Sequence, residues 1–307
     1  MLTFILRRLL ALVPVGLGVI AVVSMLIHTV PGDPADMILG PYATQAEKVQ
    51  LNKEMGLDRP FLEQLGRYYV KIAHGHLGES LIYRKPVETM IASRIRPTLE
   101  LACLAMIVAL CFSLPLGIIS ALRQGTLTDL TAMGFALTGI AVPNFWLGPM
   151  LVLFFSLRWG LFPVSERGAW DSYVLPAMTL GIPLSAMLSR MTRNSMLDNL
   201  KEDFVRTARA KGARETVVIL KHVLRNAALP LVTIVGLQFG ALLTGAIITE
   251  RIFDWPGLGS LILDGINNRD YPLVQGCVLV FSATYLVVNL LTDMSYALVD
   301  PRIKSAR

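Results

Sequence analysis

Charged residues are scarce in this chain, and their scarcity excludes an ordinary soluble domain. They make up 16% of its 307 residues, whereas hydrophobic residues make up 54% and the mean hydropathy is +0.57. Such a balance predicts a membrane protein that crosses the bilayer several times. The net charge of +6 does not indicate nucleic-acid binding, because Lys and Arg cluster at the ends of apolar runs without aromatic stacking motifs.

Cysteine and histidine are rare as well. Cys103, Cys111 and Cys277 are odd in number, lie within apolar runs and show no CxxC spacing. This pattern excludes a disulfide framework and a thiolate metal site, and we interpret all three as small buried apolar residues. His74 and His76 flank a glycine, an arrangement more typical of an ordinary loop than of a metal site.

Motifs for nucleotide chemistry and hydrolysis are missing. No GxxxxGK[ST] loop is present, so any use of ATP requires another subunit to bind its phosphates. The pair Gly16 and Gly18 loosely matches a dinucleotide fingerprint, but it falls in an apolar run without a preceding strand. No HExxH, Ser-His-Asp or paired-carboxylate pattern supports a hydrolase. The sequence therefore predicts no catalytic residue, no metal ligand and no cofactor bound by this chain.

Six apolar segments approach the roughly 20 residues that a membrane helix needs. They are residues 9–30, 99–122, 130–157, 174–191, 229–249 and 273–299. We therefore predict an all-α protein with six transmembrane helices. The first segment follows Arg7 and Arg8 as in a signal peptide, but it is too long and lacks a cleavage site, so we expect a retained anchor.

The basic residues predict the orientation of these helices. Fifteen Lys and Arg lie on one side of the six spans, and the short loops of the other side carry four. Positive residues mark the cytosolic side, so both termini are predicted in the cytosol. The predicted regions are the tail and first helix (1–30), an extracytosolic loop with short helices (31–97), the transmembrane core (98–300) and the carboxyl-terminal tail (301–307).

Proline and glycine modify the predicted spans. Pro143 lies in the third span, and Pro176 and Pro183 lie in the fourth, where each removes a backbone donor and is expected to bend its helix. Bent helices suit a gated pathway, although proline is common in membrane helices generally. Gly236 and Gly240 permit close helix packing, either inside the chain or between subunits.

Ionisable and amide side chains near the spans suggest two further roles. Glu100, Glu250 and Asp293 lie nearer to span ends than to span centres, so we expect interface anchors, with a proton or ion pathway as the alternative. The possible pathway-lining residues are Asn144, Gln238 and Asn289.

A strongly basic segment, residues 193–228, lies between the fourth and fifth spans. It predicts two short amphipathic helices broken at Gly212, the first with an apolar stripe that includes Phe204 and Ala208. The stripe of the second helix comprises Val217, Leu220 and Leu224. Such a segment should face the cytosol and is typical of a docking element for a cytosolic partner.

The chain resembles the membrane subunits of ATP-binding-cassette importers, in the oligopeptide and dipeptide permease family. Residues 206–212, RTARAKG, are similar to that family's coupling motif, whose general form is EAA, three residues and Gly. Arg206 and Thr207 replace the Glu and the first Ala, as in the peptide subfamily with its HxLRNAxLP ending at residues 222–230. Further resemblance is carried by residues 4–8, 31–34, 255–259, 268–272 and 300–302.

The resemblance implies a type I importer architecture in the bacterial inner membrane. Its partners would be a second homologous permease, two cytosolic ATPases that bind ATP and Mg, and an extracytosolic solute-binding protein. The implied solutes are dipeptides, oligopeptides, glutathione or nickel complexes, which this sequence does not rank. The implied ATPase-coupling residues are Asp203, Phe204, Arg206, Thr207, Ala208, Arg209, Ala210, Lys211, Gly212, His222, Arg225 and Asn226.

Two other classes of protein remain as alternatives. An ion-coupled secondary transporter would use ionisable groups at the midplane and often internal repeats, and neither is evident in this sequence. A membrane-embedded enzyme would need a reactive constellation that is missing. The basic residues of the segment at 193–228 could steer an acidic ATPase surface or bind anionic lipid.

Overall fold

The computed structural model describes residues 2–29, 35, 39–40, 42–165 and 167–299. These residues form helices and connecting turns, and no strand occurs among them. The chain divides into two compact units: residues 1–98 with 256–286, and residues 99–255 with 287–307. Residues 31–34 and 300–302, which carry part of the family resemblance, lie outside the described residues, as does the side chain of Asp293.

The helices are named here in chain order. They are α1 (Leu2–Thr29), α2 (Gln45–Met55), α3 (Phe61–Ala73), α4 (Val87–Leu122), α5 (Leu127–Ala141), α6 (Asn144–Leu151), α7 (Val174–Leu200), α8 (Asp203–Ala210), α9 (Glu215–Val217), α10 (Leu224–Gly245), α11 (Ile247–Ile252), α12 (Leu258–Asn267) and α13 (Tyr271–Val299). Two π-helical segments, Val152–Arg158 and Val218–Val223, extend α6 and join α9 to α10, and a 3-10 turn at Trp170–Tyr173 precedes α7.

Four helical segments of the described chain are long and apolar enough to cross a membrane. They are Val87–Leu122, Trp170–Leu200, Glu215–Leu243 and Tyr271–Thr292. A fifth span results if α5 and the helix that starts at Asn144 cross together. The helix α1 contains a shorter apolar stretch, Val13–Met25. The all-α membrane fold is confirmed, and the count of six spans stays a prediction.

The third predicted span is broken where the sequence places Pro143. The helices on either side of the break are bent by 102°. Val142 and Pro143 both have extended backbone, because a proline ring disfavours helical conformation in the residue before it. Pro176 and Pro183, in contrast, lie within the continuous helix α7.

The core of the second unit is centred on α7. Of the apolar window in its span, 67% is buried, compared with 33% for α4. Gly181 lies so close to α4 that an added Cβ would be 2.8 Å from the Ala105 carbonyl oxygen. At Gly117 an added Cβ would be 2.5 Å from the Cβ of Thr192. The helices α4 and α7 therefore pack backbone against backbone at two levels.

In the first unit, Asp270 joins a loop to the start of α13. Its side chain is fully buried and accepts hydrogen bonds from the Ser80 hydroxyl, from the Leu81 N–H at 3.2 Å and from the Leu273 N–H at 3.3 Å. A carboxylate at a helix N-terminus also interacts favourably with the helix dipole. Asp270 thus satisfies the donors of a loop and of a helix end together.

Replacing Asp270 with alanine is expected to lower the free energy of unfolding by about 2–4 kcal/mol, because buried donors lose their acceptor. Thermal unfolding of the purified chain in detergent measures the change. The exposed residue Asp58 provides the matched control, and Asp58→Ala should leave the transition within about 0.5 kcal/mol of the parent. Equal transitions for the two variants would contradict the role given to Asp270.

The prediction that all three cysteines are buried is wrong for two of them. Cys277 is buried, but Cys103 and Cys111 are exposed on α4. An apolar run carries no information on which side faces the protein, because lipid is as apolar as a protein core. Both cysteines therefore lie on a face of α4 that this chain does not cover.

Candidate coupling turn

The helix α8 ends in a turn that requires glycine. The N–H of Gly212 donates to the Arg209 carbonyl at 2.9 Å, and the N–H of Ala213 donates to the Ala208 carbonyl at 3.3 Å. This pair of bonds is a Schellman motif, in which the residue after the helix cap adopts left-handed backbone. Gly212 has a φ of +77°, a conformation that strains other residues. The glycine of the sequence motif is thus the residue that ends α8.

An ion pair spans the same turn. The Arg209 guanidinium donates from Nε to one Glu215 oxygen at 3.1 Å and from Nη2 to the other at 2.6 Å. The carboxylate of Glu215 raises the pKa of Arg209 through these bonds. Both side chains are about half exposed, so the pair contributes at most about 1 kcal/mol. Its effect is to hold the start of α9 beside the end of α8.

The inner face of the turn packs on the end of α7. The fully buried members are Met196 on α7, Val205 on α8, Val218 and Val223 on the segment after the turn, and Ala227 on α10. Phe204 and Ala208 are partly buried against this cluster, so the predicted stripe of the first helix is confirmed. The turn is therefore a packed element with a fixed conformation, not a loose loop.

The predicted second helix differs from the observed one in two respects. It is not a separate short helix, because α9 continues through the π-helical segment Val218–Val223 into α10. Its apolar stripe is wrong at two of three positions, since Val217 is 40% exposed and Leu220 is 57% exposed, whereas Leu224 is partly buried against the cluster as predicted. The wider turn of a π-helix rotates the following residues, which buries Val218 and Val223 in place of the predicted pair.

The outer face of the turn is consequently basic with an apolar ridge. Arg206 is exposed and lies 3.6 Å from the exposed Asp203 in a weak pair. Val217 and Leu220 form the ridge beside it. The predicted residues that are exposed are Asp203, Arg206, Thr207, Arg209, Ala210, Lys211, Gly212, Arg225 and Asn226, whereas Phe204, Ala208 and His222 are half-buried.

Sequence reasoning missed several residues of this site. Val205 lies one position from the predicted stripe, and no pattern distinguishes it from its neighbours. The pairing of Arg209 with Glu215 crosses a turn, so helical spacing could not indicate it. Asn226 belongs to the predicted set, but its amide donates to the backbone carbonyl of His222 at 2.8 Å and extends no side-chain network.

The three amide residues proposed for the pathway are all half-buried. Gln238 on α10 donates its amide to the Met187 sulfur on α7 at 2.9 Å. No described hydrogen bond joins Gln238, Asn144 or Asn289 to another of the three, so their role in lining a pathway stays a prediction.

The acidic residues near the span ends have distinct environments. Glu100 accepts hydrogen bonds from the Arg167 guanidinium and from the Tyr173 hydroxyl, the latter at 3.0 Å. Glu100 and, to a smaller extent, Tyr173 raise the pKa of Arg167 by accepting hydrogen bonds from its guanidinium. Together the three side chains fasten the start of α7 to α4. Glu250 is fully buried, so the prediction that it is an interface anchor is wrong: its surroundings are protein.

The Gly236 contact decides between the two packing alternatives for that residue. A Cβ added to Gly236 would lie 2.0 Å from the Thr292 hydroxyl oxygen of α13. Gly236 therefore serves close packing inside the chain.

Residues 113–305 match the family described as binding-protein-dependent transport system inner membrane component, and residues 1–102 match the N-terminal family of the same membrane components. The chain belongs to this family. The permease is thus an inner-membrane component of an importer and not an enzyme, and the resemblance drawn from its motifs is confirmed.

Relatives and solved structures agree with the assignment. The permease is 44% identical over 304 residues to the glutathione transport system permease protein GsiC of Salmonella paratyphi A, covering 99% of each chain. It is 43% identical over 305 residues to GsiC of Escherichia coli K12, again covering 99% of each chain. A chain of the MetNI methionine ABC transporter, solved in inward-facing conformations, matches with a TM-score of 0.57 at 16% identity, over 69% of the permease and 96% of that chain. The fold is that of ABC importer permeases.

Proposed function

We propose that the permease moves a peptide-type solute into the cell, and that glutathione is the first solute to test. The relatives that align over 99% of both chains are named for glutathione transport. Dipeptides, oligopeptides and nickel complexes are the competing solutes. Measuring the uptake of each labelled solute by the reconstituted complex ranks these candidates. Faster uptake of a dipeptide than of glutathione would replace glutathione as the proposed solute.

The second part of the proposal is that cytosolic ATPases dock on the turn at Gly212. The observation that carries it is the combination of a rigid inner face with an exposed outer face. The Schellman motif and the cluster around Val205 fix the turn, so a force on its outer face passes to α7. Arg206 offers positive charge and Leu220 offers apolar surface to a partner. Anionic lipid is the competing ligand for the positive charge.

This proposal assigns the remaining parts of the importer to other chains. A second homologous permease would complete the membrane pathway, and an extracytosolic binding protein would deliver the solute. Two ATPases would bind ATP and Mg, because the permease has no phosphate-binding loop. The excess of positive residues on one side supports a cytosolic location for both termini.

An ion-coupled transporter is the alternative. It needs ionisable groups that can take up and release an ion within the membrane. Glu100 is engaged by Arg167 and Tyr173, which favours a structural role for that carboxylate.

Purification of the permease from its native membrane in mild detergent, followed by mass spectrometry and an ATPase assay, tests the proposed function. We expect a sister permease, two ATPase subunits and ATP-driven uptake after reconstitution. Recovery of the permease without an ATPase, together with uptake that stops when the proton gradient is collapsed while ATP is maintained, would sink the proposal and favour ion coupling.

A further inference from the structure

A buried ion pair lies beside the candidate coupling turn, in the second unit. The Arg193 guanidinium of α7 donates two parallel hydrogen bonds to the Asp129 carboxylate of α5, from Nε and Nη2, each at 2.7 Å. Only 5% of the surface of Asp129 is exposed. A parallel pair of bonds fixes the relative orientation of two groups as well as their distance.

The same carboxylate also binds the end of α4 and the turn that follows it. The Ser120 hydroxyl donates to one Asp129 oxygen, and the Gly125 N–H donates to the other at 3.0 Å. Asp129 therefore accepts four hydrogen bonds, which come from α4, from the α4–α5 turn and from α7. These bonds join α4, the α4–α5 turn and α7 at one group, the Asp129 carboxylate.

The residues that bind the Asp129 carboxylate adjoin the cluster beneath the coupling turn. Ala121, which follows Ser120 on α4, belongs to the same buried cluster as Met196 on α7 and Val205 on α8. Met196 lies one helical turn after Arg193 on α7. The helix α7 thus carries the ion pair and the packing surface of α8 within a few residues.

Close packing supports the connection along the helices. Thr192, next to Arg193, lies against Gly117 of α4. An added Cβ at Gly139 of α5 would be 2.9 Å from the Cβ of Ala186 on α7. The ends of α4 and α7 beside the coupling turn are therefore held by both sterics and charge, and α5 packs on α7 again near its other end.

Buried ion pairs are poor evidence for stability, because the loss of hydration often offsets the attraction between the charges. Apolar residues of similar size can replace such pairs without loss of stability. The four hydrogen bonds that the Asp129 carboxylate accepts therefore point to a requirement for a fixed orientation of the helices.

We propose that Asp129 and Arg193 are positioning residues for energy coupling, which keep the α4–α5 hairpin moving as one body with α7 and the coupling turn. The inference rests on the proposed function, since it assumes that ATPases act on the turn. The pair transfers displacement of α8 to α5, and from α5 to the bend at Pro143.

The test uses the complete complex in proteoliposomes and measures solute transported per ATP hydrolysed. In the double variant Asp129→Leu with Arg193→Met, apolar side chains replace both charges. We expect assembly and continued ATP hydrolysis, a lower thermal stability because the Ser120 hydroxyl and the Gly125 N–H lose their acceptor, and a fall of at least about tenfold in the transport-to-ATP ratio, since helix orientation is no longer fixed. A parental ratio in this variant would overturn the inference.

Two further variants complete the design. Arg193→Lys keeps the charge but not the parallel bonds, so we expect about a threefold to tenfold loss in the same ratio; an unchanged ratio would overturn the inference even if the double variant failed to assemble. The exposed pair of Arg59 and Glu63 is the control, and replacing both with glutamine should leave the ratio unchanged. An equal loss in that control would also count against the inference. If the parental complex shows no ATP-driven uptake, the proposed function is wrong. If the parental complex shows such uptake and the variants keep its transport-to-ATP ratio, only the role of the Asp129–Arg193 pair is wrong.

Discussion

Gly212→Glu should abolish ATP-driven uptake while the permease still reaches the membrane at its normal level. The substitution places a side chain on left-handed backbone, which costs about 1–2 kcal/mol, and it adds a charged group to the proposed docking face. No heavy atom outside the neighbouring residues lies within 4 Å of the added Cβ, so the fold itself can accommodate the side chain. Uptake and ATPase assays on reconstituted complexes, with membrane content measured by immunoblot, check the result.

Backbone strain and docking can be separated with a matched position. Gly75, in the turn after α3, has a φ of +82°, open space around its Cβ position and the same pair of turn hydrogen bonds. Gly212→Gln and Gly75→Gln therefore impose similar backbone strain at two different turns, without adding charge. If docking is the cause, the variant at Gly212 loses coupling at least about tenfold more than the variant at Gly75, which corresponds to about 1.4 kcal/mol. Equal losses would show that strain alone explains the defect.

A large loss of stability is also expected at Gly236. An alanine there would place its Cβ 2.0 Å from the hydroxyl oxygen and 2.6 Å from the Cβ of Thr292. Overpacking of this kind destabilises by about 1–3 kcal/mol, and we expect the upper end of that range because α10 and α13 must move apart. Thermal unfolding in detergent measures the loss.

The control and the rescue for this prediction come from the same chain. Gly134 lies inside α5 with no heavy atom within 4 Å of an added Cβ, so Gly134→Ala should be neutral or stabilising by about 0.5–1 kcal/mol. All three close contacts of Gly236 belong to Thr292. Adding Thr292→Gly to Gly236→Ala should therefore restore much of the lost stability. A double variant as unstable as the single one would show that the two helices do not meet as described.

Features set by a single residue were predictable from the sequence. Pro143 fixed the position of the break in the third apolar run, because proline restricts both itself and the residue before it. Gly212 fixed the end of α8 for a similar reason, since few other residues accept left-handed backbone. Phe204 and Ala208 were assigned to the inner face correctly because α8 has regular helical periodicity.

Two kinds of feature were not predictable: which side of a helix faces the protein, and which residues far apart in the sequence contact one another. Cys103 and Cys111 lie in an apolar run that is equally apolar on both faces of its helix, so their exposure could not be predicted from the sequence. Leu220 was assigned to the inner face because regular periodicity was assumed where the helix widens. The role of Arg193 was hidden in the charge excess at 193–228, since its partner Asp129 is 64 residues away. Each failure concerns a contact between elements and not the presence of an element.

The bend between α5 and α6 has a consequence for what surrounds the permease. Each arm, α5 or α6 with its π-helical extension, contains 15 residues and is therefore about 22 Å long at 1.5 Å per residue. The hydrocarbon layer is about 30 Å thick, so neither arm crosses it alone, and a crossing by both places the bend inside the layer. Irregular backbone is tolerated at that depth only against protein or beside water. Phe145 is 61% exposed and Trp146 is 51% exposed at the start of the second arm, so the described residues leave these side chains at the corner uncovered, and the backbone of the bend requires either protein or water beside it at that depth.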